Sequence, residues 1–136
     1  MPQYERVKQL LESAALPASD LTNEHMQDFF FIGEADAPVA IVGVQFVGSD
    51  ALLRSLWVAG SHRAQGLGRT LVEHAERHAR EGGATHVYLL TTTAESFFRS
   101  RGYGVASRES APPAIRSTPE FAGLCPASSA FLTKHL

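Results

Sequence analysis

Apolar positions along this chain change period repeatedly, and the changes mark its elements. Tyr4, Val7, Leu10, Leu11 and Ala14 recur at helical spacing before Pro17 ends the run. Asp20 stands where it would cap a short second helix from Leu21 towards Gln27. Strand patterns follow. Phe29 to Ile32 predicts a strand ending at Gly33, and the acidic turn 34–38 leads into a second strand from Val39 to Val47. After Gly48-Ser49-Asp50 a third strand runs from Ala51 to Val58, with Leu52, Arg54, Leu56 and Val58 on one face by period-two alternation. Leu67, Leu71, Val72, Ala75 and Ala79 then restore the helical period up to Gly82-Gly83. The rest reads as a strand from His86 to Leu90, a short helix from Ala94 to Ser100 and an extended segment from Gly102 to Val105. A helical turn from Ile115 to Phe121, behind Pro112-Pro113, and a last strand from Ser129 to His135 complete the chain. Hairpins first, then strand–helix–strand–helix–strand, predict an α+β domain with a mixed sheet.

Composition narrows the function classes. With 136 residues, 44% hydrophobic and 19% charged, the chain has room for one compact domain, taken as 1–136. A net charge of −2 with scattered basic residues argues against nucleic acid or an anionic membrane as partner. No apolar run approaches the ~20 residues of a membrane span, and Met1 to Lys8 lacks the apolar stretch of a signal peptide. The single thiol, Cys125, has no partner for an internal disulfide. These features together read as cytoplasmic. His74 and His78 stand one helical turn apart, but H-A-E-R-H lacks a third ligand, so no metal is expected.

The most informative stretch joins the third strand to the long helix: Arg63-Ala64-Gln65-Gly66-Leu67-Gly68, an R-x-x-G-x-G turn. Glycine removes the Cβ that would hold an anion away from the backbone. The first amide groups of a helix have no internal acceptors and carry partial positive charge, so a pyrophosphate fits such a turn. Arg63 and Arg69 are placed to add charge-assisted hydrogen bonds. A blander alternative is that both glycines only let the helix pack close to the sheet. No G-x-x-x-x-G-K-[ST] is present, since the lysines are Lys8 and Lys134, and no G-x-G-x-x-G opens the chain.

The strand, this turn and the helix resemble the acetyl-CoA motif of the GNAT acetyltransferase superfamily. The segments H-V-Y-L-L-T-T-T and A-E-S-F-F-R-S-R-G-Y resemble its next motif. The resemblance implies a mixed, mostly antiparallel sheet flanked by helices, with two central parallel strands, Ala51–Val58 and His86–Thr91, splayed apart. The superfamily's usual first strand would be missing or very short, since three residues precede Tyr4. It also implies acetyl-CoA as co-substrate. Backbone groups of Leu56 and Val58 would pair with the pantetheine arm as with an added strand. Gln65, Gly66, Gly68, Arg69 and Thr70, with Arg63, would hold the pyrophosphate, and Phe98 would flank the thioester. The Val58 amide would serve as oxyanion donor. A homodimer is the superfamily's habit.

Two departures concern proton transfer. Leu52 stands where many members carry a glutamate base, and Phe98 where many carry a tyrosine acid, so general base and acid stay unassigned. Arg54, on the strand face taken to look towards the acceptor, is the first candidate for binding an anion on the substrate; Arg116 is the second. Glu34 is a base only if its turn folds over the cleft. The segments L-L-R-S-L-W-V, Y-L-L-T-T-T-A-E-S-F-F, P-P-A-I-R-S-T-P-E-F and L-C-P-A-S-S-A resemble the acetyltransferases associated with arsenic resistance. That family is related to the acetyltransferase domain of N-acetylglutamate synthases. The acceptor implied is a primary amine on a small, acidic or amino-acid-like molecule. A general amino-acid N-acetyltransferase and a non-catalytic acetyl-CoA-binding module are the alternatives.

Overall fold

The computed structural model describes residues 1–125 and 128–136, with Arg63 and Ala64 described by their backbone alone. Six strands, β1 (Phe29–Glu34), β2 (Ala37–Val47), β3 (Asp50–Val58), β4 (His86–Thr91), β5 (Gly104–Val105) and β6 (Ala130–His135), lie in the order β1-β2-β3-β4-β6-β5. β3 and β4 run parallel, and every other neighbouring pair is antiparallel. The helices α1 (Tyr4–Ser13), α2 (Leu67–Glu81), α3 (Glu95–Ser100) and α4 (Pro113–Arg116) flank this sheet. The mixed sheet and its central parallel pair are as expected, and α1 is the first element.

Each face of the sheet has its own cover. On one, the stripe Leu71, Val72, Ala75 and Ala79 of α2 packs against Val42, Val44, Ala51, Leu53, Val87 and Leu89. On the other, Val7 and Leu11 of α1 meet Met26, Phe29 and Ile41, while Ala111 and Ile115 cover Phe131 further along. β2 is therefore buried on both sides from Ala40 to Val44, which explains its unbroken apolar run.

Two sequence expectations are corrected here. The helix expected after Asp20 is a 3₁₀ turn, Asn23–Asp28. Its cap is Thr22, whose backbone N–H donates to Nδ1 of His25 at 2.9 Å, and Asp20 is engaged elsewhere. In β3 the strict alternation fails at Ser55, which adopts a left-handed φ of 61°. Trp57 pairs with Ile41 and Arg54 with Gly43, so β3 carries one residue more than its partner over this step. This is a β-bulge. It reverses the faces beyond it. Leu56 and Val58 join Leu53 on the α2 side, Trp57 joins the α1 cluster, and Arg54 parts from Leu56 and Val58.

Candidate active site

The parallel pairing of β3 and β4 covers only Asp50–Leu52 against His86–Tyr88. Past that point β3 pairs with β2 alone and β4 with β6 alone. The two strands thus part where the bulge re-aims β3, as the splay expected from the sequence requires. Between them lies a cleft of about 190 Å³. Its walls are Leu53–Leu56 of β3, Leu89–Thr91 of β4, Ala94 and Phe98 at α3, Ala15–Pro17 after α1, and Glu120, Cys125 and Ser129. Backbone polar groups on facing edges need partners, so an extended ligand with amide groups suits this seam.

At the open end the chain makes a 3₁₀ turn, Gly60–Gln65, and then α2 begins. Gly66 joins them at φ 72°, a left-handed conformation that favours glycine. The helical ladder opens with the Thr70 N–H donating to the Gly66 carbonyl at 3.2 Å. The amides of Leu67, Gly68 and Arg69 precede it without intrahelical acceptors. A Cβ on Gly66 would meet nothing within 4 Å. One on Gly68 would lie 3.6 Å from Cζ of Phe97 and 3.8 Å from Cγ2 of Val58, ordinary contact distances. Close packing of helix on sheet therefore explains neither glycine. What these residues leave is open space above donor groups beside the ends of β3 and α3.

The inner end of the cleft is ionic. Arg54 is 7% exposed, and all five of its guanidinium N–H groups find acceptors. Nη1 and Nη2 grip Oδ2 and Oδ1 of Asp20 at 2.6 and 2.8 Å in a two-pronged bridge. Nη1 also donates to Oε1 of Glu120, with Gln45 close by; Nη2 donates to the Pro17 carbonyl and Nε to the Ser55 hydroxyl. Glu120 is 4% exposed, and its Oε2 is buried with no hydrogen-bond partner among the described residues. Burial, helped by the neighbouring Asp20 carboxylate, pushes the Glu120 carboxyl up to about 7 against the pull of Arg54. Asp20 goes the other way. Burial acts to raise it, yet its hydrogen bonds to Arg54 and the guanidinium charge bring it down to about 2. The two carboxyls titrate as one pair, of which Glu120 is the more readily protonated member.

The acetyltransferase (GNAT) family model matches residues 2–103. This chain belongs to the GNAT acetyltransferase family. Its 34% identity to the uncharacterized N-acetyltransferase CT2212 of Chlorobaculum tepidum extends over 93 residues, 68% of this chain and 59% of that protein. Among solved structures, the N-acetylglutamate synthase of Neisseria gonorrhoeae, complexed with coenzyme A and N-acetyl-glutamate, superposes with a TM-score of 0.79 at 20% identity. That match covers 98% of this chain and 32% of the synthase. Rv2747 of Mycobacterium tuberculosis, in complex with CoA and NLQ, gives 0.81 at 19% identity, covering 99% and 96%. Likenesses at these identities show a shared fold. The chain spans about a third of the synthase and 59% of the curated relative.

Within this GNAT fold, the residues expected at the coenzyme end come together. Gln65, Gly66, Arg69 and Thr70 are exposed around the turn, Gly68 is half-buried, and Leu56 and Val58 are half-buried on β3. The Arg63 side chain lies outside the described residues. Arg69 pairs with Glu73 at 3.0 Å on the exposed helix face, and the Thr70 hydroxyl donates to the Gly66 carbonyl. An exposed ion pair such as Arg69–Glu73 contributes about 0–1 kcal/mol. Phe98 lines the cleft but is 3% exposed, stacked edge-on against Phe97 and Tyr103.

The acceptor end departs from expectation. Arg54 lines the cleft, yet Asp20 and Glu120 have claimed the guanidinium that was to meet a substrate anion. Arg116, the last residue of α4, is exposed, donates to the Glu109 carbonyl, and does not border the cleft. Glu34 sits at the exposed end of β1, away from it. Sequence reading missed Asp20 and Glu120. Two signals pointed to them: an arginine within an apolar strand, which must find acids when buried, and a glutamate between Pro119 and Phe121 in a segment the generic fold does not require.

Proposed function

We propose that this domain, residues 1–136, transfers the acetyl group of acetyl-CoA to a primary amine on a small, amino-acid-like molecule. The observation that carries this reading is the parting of β3 from β4, with the glycine turn following directly on β3 and Gly68 lying beside Val58 and Phe97. The turn offers amides and dipole to a diphosphate, and the seam offers strand edges to the pantetheine arm. Leu56 and Val58 lie along it, and the Val58 backbone at the end of β3 is the oxyanion donor of this proposal. Family membership supports acyl transfer, and both structural relatives described above were solved with coenzyme A.

For the acceptor, the saturated Arg54 removes the support for an acid-binding wall. The cleft instead presents a carboxyl group to an incoming amine. A role in arsenic resistance rests on the likeness of P-P-A-I-R-S-T-P-E-F and L-C-P-A-S-S-A to that family. These two segments supply Glu120, Cys125 and Ser129 of the cleft wall.

The test is thiol release from acetyl-CoA by purified protein, against amino acids, amino-phosphinates and amino-arsonates, with mass detection of the product. At least one primary amine should give coenzyme A and N-acetyl product in equal amounts, and its N-methylated tertiary analogue none. Tight coenzyme binding without turnover across the panel would replace this reading with that of a non-catalytic acetyl-CoA-binding module.

A further inference from the structure

The two positions where many GNAT members keep a proton-handling side chain are hydrocarbon here. Leu52 is 1% exposed and Phe98 3%. An ammonium nevertheless has to lose a proton before its nitrogen can attack a thioester. Among the described residues bordering the cleft, Glu120 is the only carboxylate.

Its setting separates it from an acid that merely completes a salt bridge. Arg54 holds Oε1, which fixes the carboxyl in place, while Oε2 is buried and without a partner among the described residues. A buried acceptor left unmatched is unfavourable, and a catalytic role is one reason for a fold to keep one. Charge counting points to a cation. Arg54 balances Asp20, so an ionised Glu120 leaves one surplus negative charge in a dry site, and a proton or an ammonium cancels it.

We propose that Glu120 is the general base of the acetyl transfer, with Arg54 and Asp20 as the residues that position it. This rests on the function proposed above. The Glu120 carboxylate takes one proton from the acceptor's ammonium, leaving a neutral amine. The nitrogen lone pair forms the C–N bond at the thioester carbonyl carbon, the C–S bond breaks, and the sulfur leaves with its electron pair. The second proton released from nitrogen passes to that thiolate, and Glu120 returns the first to water. Atoms and charge balance with no further reactant.

The other ionisable groups facing Glu120 are Asp20 from the segment after α1, Arg54 from β3, and Cys125 beyond the turn that carries Glu120 itself; Arg108 acts on Cys125. Asp20, held low by its bonds to Arg54, keeps its charge through neutrality. Burial first, then the neighbouring Glu120 charge, raises the Cys125 thiol above its usual range. Glu120 is thus the group of this set that changes charge near pH 7.

The experiment is the pH profile of kcat/KM for the wild type, Glu120→Gln and Glu120→Asp, with coenzyme A affinity measured by calorimetry on the same samples. The wild type should give a bell, rising through the Glu120 ionisation near neutrality and falling as the acceptor's ammonium deprotonates. Glu120→Gln should lose about 10²–10³-fold in kcat/KM and replace the bell with a single rise at the acceptor's own ionisation. Glu120→Asp should keep a displaced bell. Coenzyme affinity should stay within about twofold in both variants. A glutamine variant that retains the acid limb, or one whose rate loss leaves the profile's shape unchanged, overturns the proposal while the acetyltransferase reading stands. Failure of the wild type itself to bind coenzyme A or to turn over would instead remove the function on which the proposal depends.

Discussion

Arg54→Ala should destabilise the fold by about 3–5 kcal/mol at pH 8, the range for removing one partner of a buried ion pair. The guanidinium is what makes two carboxyl groups tolerable at this depth. It grips both oxygens of Asp20 and one of Glu120, with side-chain exposures of 13% and 4% for the two acids. Arg54→Lys should recover only part of the loss, because an ammonium cannot span two carboxylates and the Pro17 carbonyl with a planar fork.

The pH dependence separates charge from packing. Asp20, depressed to about 2 in the folded protein, contributes stability that is present above its unfolded value of 3.8 and lost as pH falls through 2. Glu120, raised to about 7, has the opposite sign. Its contribution is full below 4.5 and disappears as pH rises through 7. Without Arg54 both acids sit in a site that favours their neutral forms, so acid relieves the variant. Urea unfolding at pH 8 and pH 4 should therefore show a clearly larger gap between wild type and Arg54→Ala at pH 8. Equal gaps would show that Arg54 contributes packing alone.

Why did the sequence place Arg54 so well along the chain and so poorly in space? Alternation assumes that β3 is regular, and over Ala51–Arg54 it is. One residue then takes a left-handed φ, and every position beyond changes face. Ser55 gives little local warning, since no glycine or proline marks the bulge. The long helix and the turn before it were legible because their signals are local: a 3.6-residue stripe and two glycines. The parallel pair and its splay followed from the resemblance these motifs carry, and the pairing agrees. Asp20 and Glu120 belong to the other category. Positions 20, 54 and 120 meet only after the sheet has formed, so no window of sequence contains their relation. Asp20 before a helical run reads as a cap because that is the common local use of aspartate. The tertiary demand of a buried arginine overrode it, and Thr22 took the cap.

Gly68→Glu should produce the second large effect, with binding and stability moving in opposite directions. The site accepts a Cβ, since the nearest atoms to one added there are 3.6 Å away, on Phe97. Glycine also weakens a helix by up to about 1 kcal/mol relative to other residues, and a carboxylate in the first turn of α2 complements the dipole there. The variant should unfold at or slightly above the wild-type urea midpoint. Coenzyme A binding should suffer, because the same carboxylate occupies the space above the Leu67–Arg69 amides that the diphosphate needs. One like-charge contact at ~4 Å, at an effective dielectric constant of ~20, is worth about 4 kcal/mol, and each 1.4 kcal/mol is a factor of ten in affinity. A loss of at least about 100-fold in calorimetric coenzyme A affinity is expected, with Gly68→Ala much milder. The packing explanation of this glycine expects the reverse: stability falls and affinity, measured on the folded fraction, holds. That pattern would detach the Gly66–Gly68 turn from the coenzyme and leave the opened seam between β3 and β4 without its anchoring end.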